Sequence, residues 1–116
     1  MRHSRRIRVV PAQNVWVAGL GPVGQSVAQA ARAIGAYVTV TDVNQNRLDV
    51  ARELGAHSAI NISDSSATEL LKQGGPYDRI IDACGACALF DDIYQHKLLA
   101  LNGVIGALAG RGETIF

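Results

Sequence analysis

Short runs of apolar and β-branched residues alternate along the chain with longer amphipathic stretches. Five such runs predict buried strands, at residues 15–18, 37–41, 58–62, 78–84 and 104–108. The stretches between them have apolar residues at helical spacing, so the pattern predicts the element order β-α-β-α-β-α-β-α-β. This alternation favours an α/β fold in which helices cover both faces of a parallel sheet.

The four helical stretches have recognisable boundaries. Asn44 is a candidate N-cap for the second helix, Gly35 ends the first, and residues 74–76 end the third. The fourth helix runs towards Leu101, and residues 102–103 turn into the last strand. The residues at helical spacing that mark these stretches are Val23, Val27, Ala30, Ala31 and Ile34 in the first helix, Leu48, Ala51 and Leu54 in the second, Ala67, Leu70 and Leu71 in the third, and Phe90, Ile93, Tyr94 and Lys97 in the fourth.

A glycine-rich turn follows the first strand. Gly19, Gly21 and Gly24 have the G-x-G-x-x-G spacing of a dinucleotide-binding loop. The first glycine allows the tight turn, the second lets a pyrophosphate approach the backbone, and the third lets the helix pack close to the strand. Pro22 suits the first helical position, and the free amides that follow, beginning at Val23, favour an anionic ligand. A purely structural turn is the alternative.

The context of this turn supports a doubly wound, Rossmann-type sheet in the order 3-2-1-4-5. Asp42 ends the second strand, 18 residues after Gly24. In dinucleotide-binding units an acidic side chain ~20 residues after the loop binds the ribose hydroxyls. In that order a crevice opens between the first and fourth strands at their carboxyl ends. The glycine loop and the pair Cys84 and Gly85 are therefore expected to flank one ligand.

Composition limits the other possibilities. With 116 residues, 48% of them hydrophobic, the chain is predicted to form one small domain. The net charge of +1 gives no reason to expect nucleic acid, although arginines are concentrated in the first eight residues. We interpret residues 1–13 as a disordered or linker-derived tail, with a basic arm for an anionic partner as the alternative, and residues 14–116 as the domain. No stretch resembles a signal peptide or a membrane span, so a soluble, cytoplasmic protein is expected.

Two cysteines and the histidines could suggest other chemistry. Cys84 and Cys87 form a C-x-x-C pair at a strand–helix junction, where redox proteins place their thiols. Packing in a strand end and a first helical turn is the simpler interpretation. His57 and His96 lie too far away in sequence to complete a recognisable zinc site and are interpreted as surface or partly buried side chains. Asp82, inside an apolar strand, is expected to be a hydrogen-bonded carboxylate.

The chain resembles the coenzyme-binding domain of the zinc-type, medium-chain alcohol and polyol dehydrogenases. The motifs are GLGPVG, ARAIGAYVTVTD, RLDVARELGAHSAIN, YDRIIDACG and LNGVIGALAG, from about residue 15 to residue 110. The resemblance implies that Asp42 binds the adenosine ribose hydroxyls, that Arg47 lies beside the same ribose, and that the cofactor is NAD rather than NADP. A carboxylate accepts hydroxyl hydrogen bonds but repels a 2′-phosphate. An ordinary exposed helix residue is the alternative for Arg47, and a strand-end cap is the alternative for Asp42.

The departures from the family concern the rest of the enzyme. The zinc ligands, proton relay and substrate pocket belong to a catalytic domain that the sequence does not contain, so no catalytic residue and no metal ligand is assigned. The helix and sixth strand that follow in the family are also missing, which leaves the fifth strand as an expected edge for self-association. The leading hypothesis is the NAD(H)-binding part of such a dehydrogenase, not catalytic alone. The alternative is a stand-alone NAD(H) sensor or docking module.

Overall fold

Six strands and three helices make up the part of the chain that the computed structural model describes, residues 2–3, 8–83 and 97–107. The strands are β1 (Arg2–His3), β2 (Asn14–Ala18), β3 (Tyr37–Asp42), β4 (Ser58–Asn61), β5 (Tyr77–Asp82) and β6 (Leu99–Ala107). The helices are α1 (Pro22–Ile34), α2 (Gln45–Glu53) and α3 (Ala67–Gly74). α1, the longest, has only 13 residues, and no helix in the described part is long and apolar enough to cross a membrane.

The strands form one parallel sheet in the order β1-β6-β5-β2-β3-β4. The five strands predicted from the sequence are β2 to β6, and their predicted order, 3-2-1-4-5, is confirmed. From β2 the chain first proceeds outward through β3 and β4, then returns to β5 on the other side of β2. The topological switch therefore lies between β2 and β5, at the position where doubly wound sheets open a ligand crevice.

The sheet is covered on both faces, which explains why its strands are apolar on both sides. Val15 and Val17 point into a core shared with α1 and α2. Trp16 points into a second core with α3 and β5, where its ring lies 5.6 Å from that of Tyr77. Trp16 also donates a hydrogen bond from Nε1 to Thr41 Oγ1 (3.0 Å), so the polar edge of the buried indole is satisfied.

The helices begin and end close to the predicted positions, but their buried faces differ. In α1 the buried residues are Gly24, Val27, Ala28 and Ala31, whereas Val23 is 41% exposed. The face is rotated because the first turn approaches the sheet through Gly24. Leu54 and Leu70, which share the helical spacing of the apolar residues in α2 and α3, are exposed because they lie at the end of α2 and on the outer side of α3.

β6 begins earlier than predicted. The strand includes Leu101 and Asn102, which the sequence pattern assigned to a helix end and a turn. Its pairing is irregular: Tyr77 pairs with Leu99, and Arg79 already pairs with Val104, so several residues bulge between them. Asn102 has a φ of 66°, so the turn signal corresponds to this bulge. Residues 90, 93 and 94 of the predicted fourth helix lie outside the described residues.

The N-terminal segment is not a disordered tail where the structure describes it. Arg2 and His3 pair with Val104 and Ile105 of β6 as a parallel edge strand. Val9 is buried, and Arg79 Nε donates a hydrogen bond to the Arg8 carbonyl oxygen (2.7 Å). The edge of β6 is therefore covered at two positions, and the prediction of a fully unprotected edge is wrong because the covering strand comes from the other end of the sequence.

Candidate functional site

The turn after β2 shows what two of its glycines do. Gly19 has a φ of 97°, in the left-handed region that glycine adopts easily, and its amide donates a hydrogen bond to the Thr41 carbonyl oxygen (2.9 Å). A Cβ at Gly24 would overlap the Gly19 carbonyl oxygen, so α1 can approach the turn this closely only with glycine there. At Gly21, by contrast, no described heavy atom lies within 4 Å of an ideal Cβ. The space beside Gly21 is open to a ligand.

The N-terminus of α1 points into that space without a compensating group of its own. Within this fully described helix, Gly21 is the N-cap and supplies no side-chain hydrogen bond, and the first turn contains no acidic residue. The first amide to bond inside the helix is that of Gln25, to the Gly21 carbonyl oxygen (2.9 Å). The amides of Val23 and Gly24 precede it and, with the helix dipole, favour an anion. The open space and these donors suit a pyrophosphate.

Asp42 lies at the carboxyl end of β3, beside the glycine turn, and is only 7% exposed. Its Oδ2 accepts a hydrogen bond from the Leu20 amide (2.8 Å), and its Oδ1 accepts one from the Asn44 amide (3.0 Å). These two bonds fix the orientation of the carboxylate and connect the turn after β2 to the turn after β3. Each oxygen keeps lone-pair capacity for a further donor.

Arg47 is placed by the cap of α2. The predicted N-cap is present: Asn44 Oδ1 accepts a hydrogen bond from the Arg47 amide (3.2 Å). The guanidinium is 52% exposed, and its Nη1 lies 3.8 Å from Asp42 Oδ2. This distance is short enough for an ion pair but too long for a hydrogen bond. The cation is thus beside the carboxylate and still accessible to a ligand.

A groove of about 400 Å³ lies between the glycine turn and the first turns of α2. Its lining residues are Leu20, Gly21, Pro22, Gln25, Asn44, Asn46, Arg47 and Val50. Gly21, Pro22 and Arg47 were predicted to contact a cofactor, while Gln25, Asn46 and Val50 were not singled out. They were missed because the motif spacing identifies the glycines and the acidic residue alone. Gln25 of α1 and the two α2 residues line one groove only because α1 packs against α2.

The remaining candidates lie elsewhere. Cys84, Gly85, Cys87 and His96 lie outside the described residues, although the Ala83 amide, immediately before them, donates to the Ala18 carbonyl oxygen (2.8 Å) next to the glycine turn. His57 is exposed before β4, and its Nδ1 accepts a hydrogen bond from the Val38 amide (3.0 Å). Asp82 is buried at the end of β5. The described residues contain no cluster of three or more His, Cys, Asp or Glu side chains suited to a metal ion.

The sequence of the chain is similar to those of known dehydrogenases. A family model described as zinc-binding dehydrogenase matches residues 22–115. The L-threonine 3-dehydrogenase of Salmonella gallinarum is 31% identical over 100 residues, which are 79% of this chain and 29% of that enzyme. That of Shewanella sp. strain W3-18-1 is 41% identical over 64 residues, or 54% of this chain and 19% of the enzyme.

Solved structures agree with the sequence matches. An alcohol dehydrogenase zinc-binding domain protein from Burkholderia ambifaria superposes with a TM-score of 0.76 and 28% identity, covering 91% of this chain and 30% of that one. The benzyl alcohol dehydrogenase of Acinetobacter calcoaceticus superposes with a TM-score of 0.79 and 25% identity, covering 95% of this chain and 31% of that one. The chain thus spans less than a third of the length of these relatives. Over that span, the chain belongs to the zinc-binding dehydrogenase family.

Proposed function

We propose that this chain binds NAD(H) as the coenzyme-binding domain of a zinc-type medium-chain dehydrogenase acting on an alcohol or polyol. The observation on which the proposal rests is the Asp42 carboxylate, held by two backbone amides next to the open space at Gly21. In this arrangement the pyrophosphate contacts the α1 N-terminus through the Val23 and Gly24 amides, and the adenosine ribose lies in the groove beside Asp42 and Arg47. Cys84 and Gly85 are proposed to border the same crevice.

The charge and burial of Asp42 favour NAD over NADP. A ribose with free 2′- and 3′-hydroxyls can donate to the remaining lone pairs of the carboxylate. A 2′-phosphate would place a second negative charge next to a carboxylate that is 7% exposed, where water screens it poorly. Arg47 could attract the phosphate, but its guanidinium is 52% exposed, so its attraction is weakened by solvent. The fixed carboxylate is therefore expected to dominate the choice of cofactor.

The residues of this chain bind and orient the cofactor, and none is assigned to the chemical step. A bound nicotinamide would supply hydride transfer with the substrate. The relatives are named for threonine and for alcohols, which supports a hydroxyl-bearing substrate for the whole enzyme. Substrate and zinc are proposed to be held by a catalytic domain separate from this one, in a cytoplasmic enzyme, and this chain by itself is not expected to oxidise alcohols.

Isothermal titration of the purified chain with NADH and with NADPH tests the proposal. We expect NADH to bind more tightly, and Asp42→Asn to weaken its binding by about 1–3 kcal/mol because a charge-assisted pair of hydrogen bonds is lost. The same change should reduce the discrimination against NADPH, since the repulsive charge is gone. Asparagine keeps one acceptor oxygen, so one of the two backbone amides loses its acceptor. Circular dichroism and thermal unfolding of the variant, recorded beside the titrations, separate this local loss from a loss of the fold.

Asp64→Asn is the matched control, because Asp64 is an exposed carboxylate between β4 and α3 and is not a groove residue. It should leave both affinities unchanged. Equal or tighter binding of NADPH by the parent chain would refute the assignment of Asp42. Binding of neither dinucleotide would refute the proposed function itself.

A further inference from the structure

Gln25 connects the two helices that border the groove. It follows Gly24 in the first turns of α1 and lines the groove. Its Nε2 donates a hydrogen bond to the Arg47 carbonyl oxygen in α2 (2.9 Å). One half of the side-chain amide is therefore used to join α1 to the first turn of α2.

The other half of the same amide has no hydrogen-bond partner in the part of the chain that the structure describes. Gln25 Oε1 is buried and accepts no hydrogen bond from any described residue. Exchanging the oxygen and nitrogen of the amide would not solve this, because Oε1 would then face the Arg47 carbonyl oxygen, and both groups are acceptors. The unpaired position of Oε1 is thus imposed by its neighbour.

This arrangement does not stabilise the free protein in any evident way. The Arg47 carbonyl lies inside α2, where helix geometry already gives it the amide of Ala51 as a donor. The bond from Gln25 is therefore additional, whereas a buried acceptor without a donor is unfavourable. A leucine of similar size could fill the same space without that unfavourable group. The reason for a glutamine here must lie in a state other than the free protein.

We propose that Gln25 is a ligand-binding residue of the groove and that its Oε1 accepts a hydrogen bond from a neutral donor on the adenosine half of the dinucleotide. The inference depends on the proposed function, because the ligand is the one proposed above. Since Oε1 is buried in the free protein, the side chain must turn towards the groove on binding. Turning releases the Arg47 carbonyl, which remains satisfied inside α2. The donor is either a ribose hydroxyl or the adenine amine.

Titration of Gln25→Leu with NADH, combined with thermal unfolding of the free protein, tests this inference. We expect the affinity to fall about 3- to 10-fold, the range for loss of one hydrogen bond, while the unfolding temperature of the free variant is unchanged or higher. A residue that only supports the fold would instead lower both. Gln73→Leu, an exposed glutamine on α3 outside the groove, is the matched control and should change neither quantity.

A second arm distinguishes the two donors. The hypoxanthine analogue of NADH carries a carbonyl in place of the adenine amine. If the amine is the donor, Gln25→Leu should weaken NADH but not the analogue; if a ribose hydroxyl is the donor, it should weaken both alike. Unchanged NADH affinity in Gln25→Leu, or a lower unfolding temperature together with the loss of affinity, overturns the inference while leaving the proposed function intact. Absence of NADH binding by the parent chain overturns both.

Discussion

The two sides of the sheet are held together in different ways. At the carboxyl ends of β2 and β3, side chains bond to the backbone of neighbouring turns: Asp42 accepts from Leu20 and Asn44, and Asn44 caps α2. At the opposite side, β6 bulges between its pairings with Tyr77 and Arg79, and Leu101 is 94% exposed. The strand beyond β6 has only two residues.

The turns after β2 and β3 are held by several side-chain and backbone hydrogen bonds, whereas the β6 edge is held mainly by strand pairing. In the first, the amides of Leu20 and Asn44 hold the Asp42 carboxylate and join the turn after β2 to the turn after β3, so the positions of Gly21 and Asp42 are set before any ligand arrives. Such preorganisation limits the entropic cost of binding. In the second, a short parallel pair and a bulge leave part of an edge available to other strands.

The largest expected effect distinguishes two glycines of the same turn. Gly24→Ala should reduce the free energy of unfolding by about 3 kcal/mol, because the new methyl group overlaps the backbone carbonyl of Gly19, which cannot move without distorting the turn. Gly21→Ala should change stability by less than about 1 kcal/mol, because its methyl group enters open space, yet it should weaken NADH binding. Urea denaturation and titration of both variants provide the measurements.

The paired outcome is what makes this test specific. If Gly24→Ala unfolds at the same urea concentration as the parent, the close approach of α1 to the turn is not a real constraint. If Gly21→Ala binds NADH as tightly as the parent, the open space is not where the pyrophosphate lies. Both variants replace a glycine with the same side chain, so a general effect of alanine on the chain would appear in both.

The region around the turns after β2 and β3 was also the easier one to predict from sequence. The glycine spacing, the cap at Asn44 and the stop at Gly35 are local signals, and the structure shows each at its predicted position. These local signals do not predict the groove, because Gln25 and Val50 line it together only through the packing of α1 against α2. Local patterns identify turns, whereas side chains that share a surface depend on helix packing.

The β6 region was harder to predict because its determinants are not local. The turn-forming pair at residues 102–103 indicated a break, and the chain accommodates it as a bulge inside a strand that begins at Leu99. Pairing with Tyr77 overrides the turn preference, which nothing near Leu99 in sequence reveals. Likewise, the arginine-rich composition of the N-terminus indicated a solvated tail, but the unpaired edge of β6 provides a partner for Arg2 and His3.

A smaller effect is expected at Tyr77, which joins the irregular strand to the rest of the fold. Its amide donates to the Leu98 carbonyl oxygen (2.7 Å), and its buried hydroxyl donates to the Leu71 carbonyl oxygen (2.7 Å). Tyr77→Phe should cost about 1 kcal/mol, since the Leu71 carbonyl loses this donor. Urea denaturation at neutral pH measures the loss. The same change in Tyr37, which is 58% exposed, should have almost no effect and is the control.

The pH dependence of stability gives the same residue a second test. Burial raises the pKa of Tyr77 above its ordinary value of 10.0, and a hydrogen bond with Thr39 only partly offsets this. The folded state therefore holds the phenol proton more tightly than the unfolded state. Stability from this group is complete below about pH 10 and decreases as the pH rises towards the higher pKa of the folded protein. Tyr77→Phe should flatten that decrease, and an equally steep decrease in this variant would contradict the assignment.

Removal of β1 is expected to have the smallest effect on stability. It is also the most direct test of the β6 edge of the sheet. Deletion of residues 1–7 retains Val9 and the bond between Arg79 and the Arg8 carbonyl, and of the contacts that the structure describes it removes the two-residue pairing with Val104 and Ile105. The free energy of unfolding should fall by less than about 1 kcal/mol, because two residues at a sheet edge contribute little.

Exposing the unpaired groups of β6 should instead favour edge-to-edge pairing of two copies. In sedimentation across a concentration series, the apparent mass of the shortened chain should therefore rise more steeply than that of the full chain of 12.3 kDa. A Leu101→Lys change in the shortened chain, which places a charge on the exposed edge, should suppress this rise. Identical sedimentation of the full and shortened chains would show that β1 does not protect the edge.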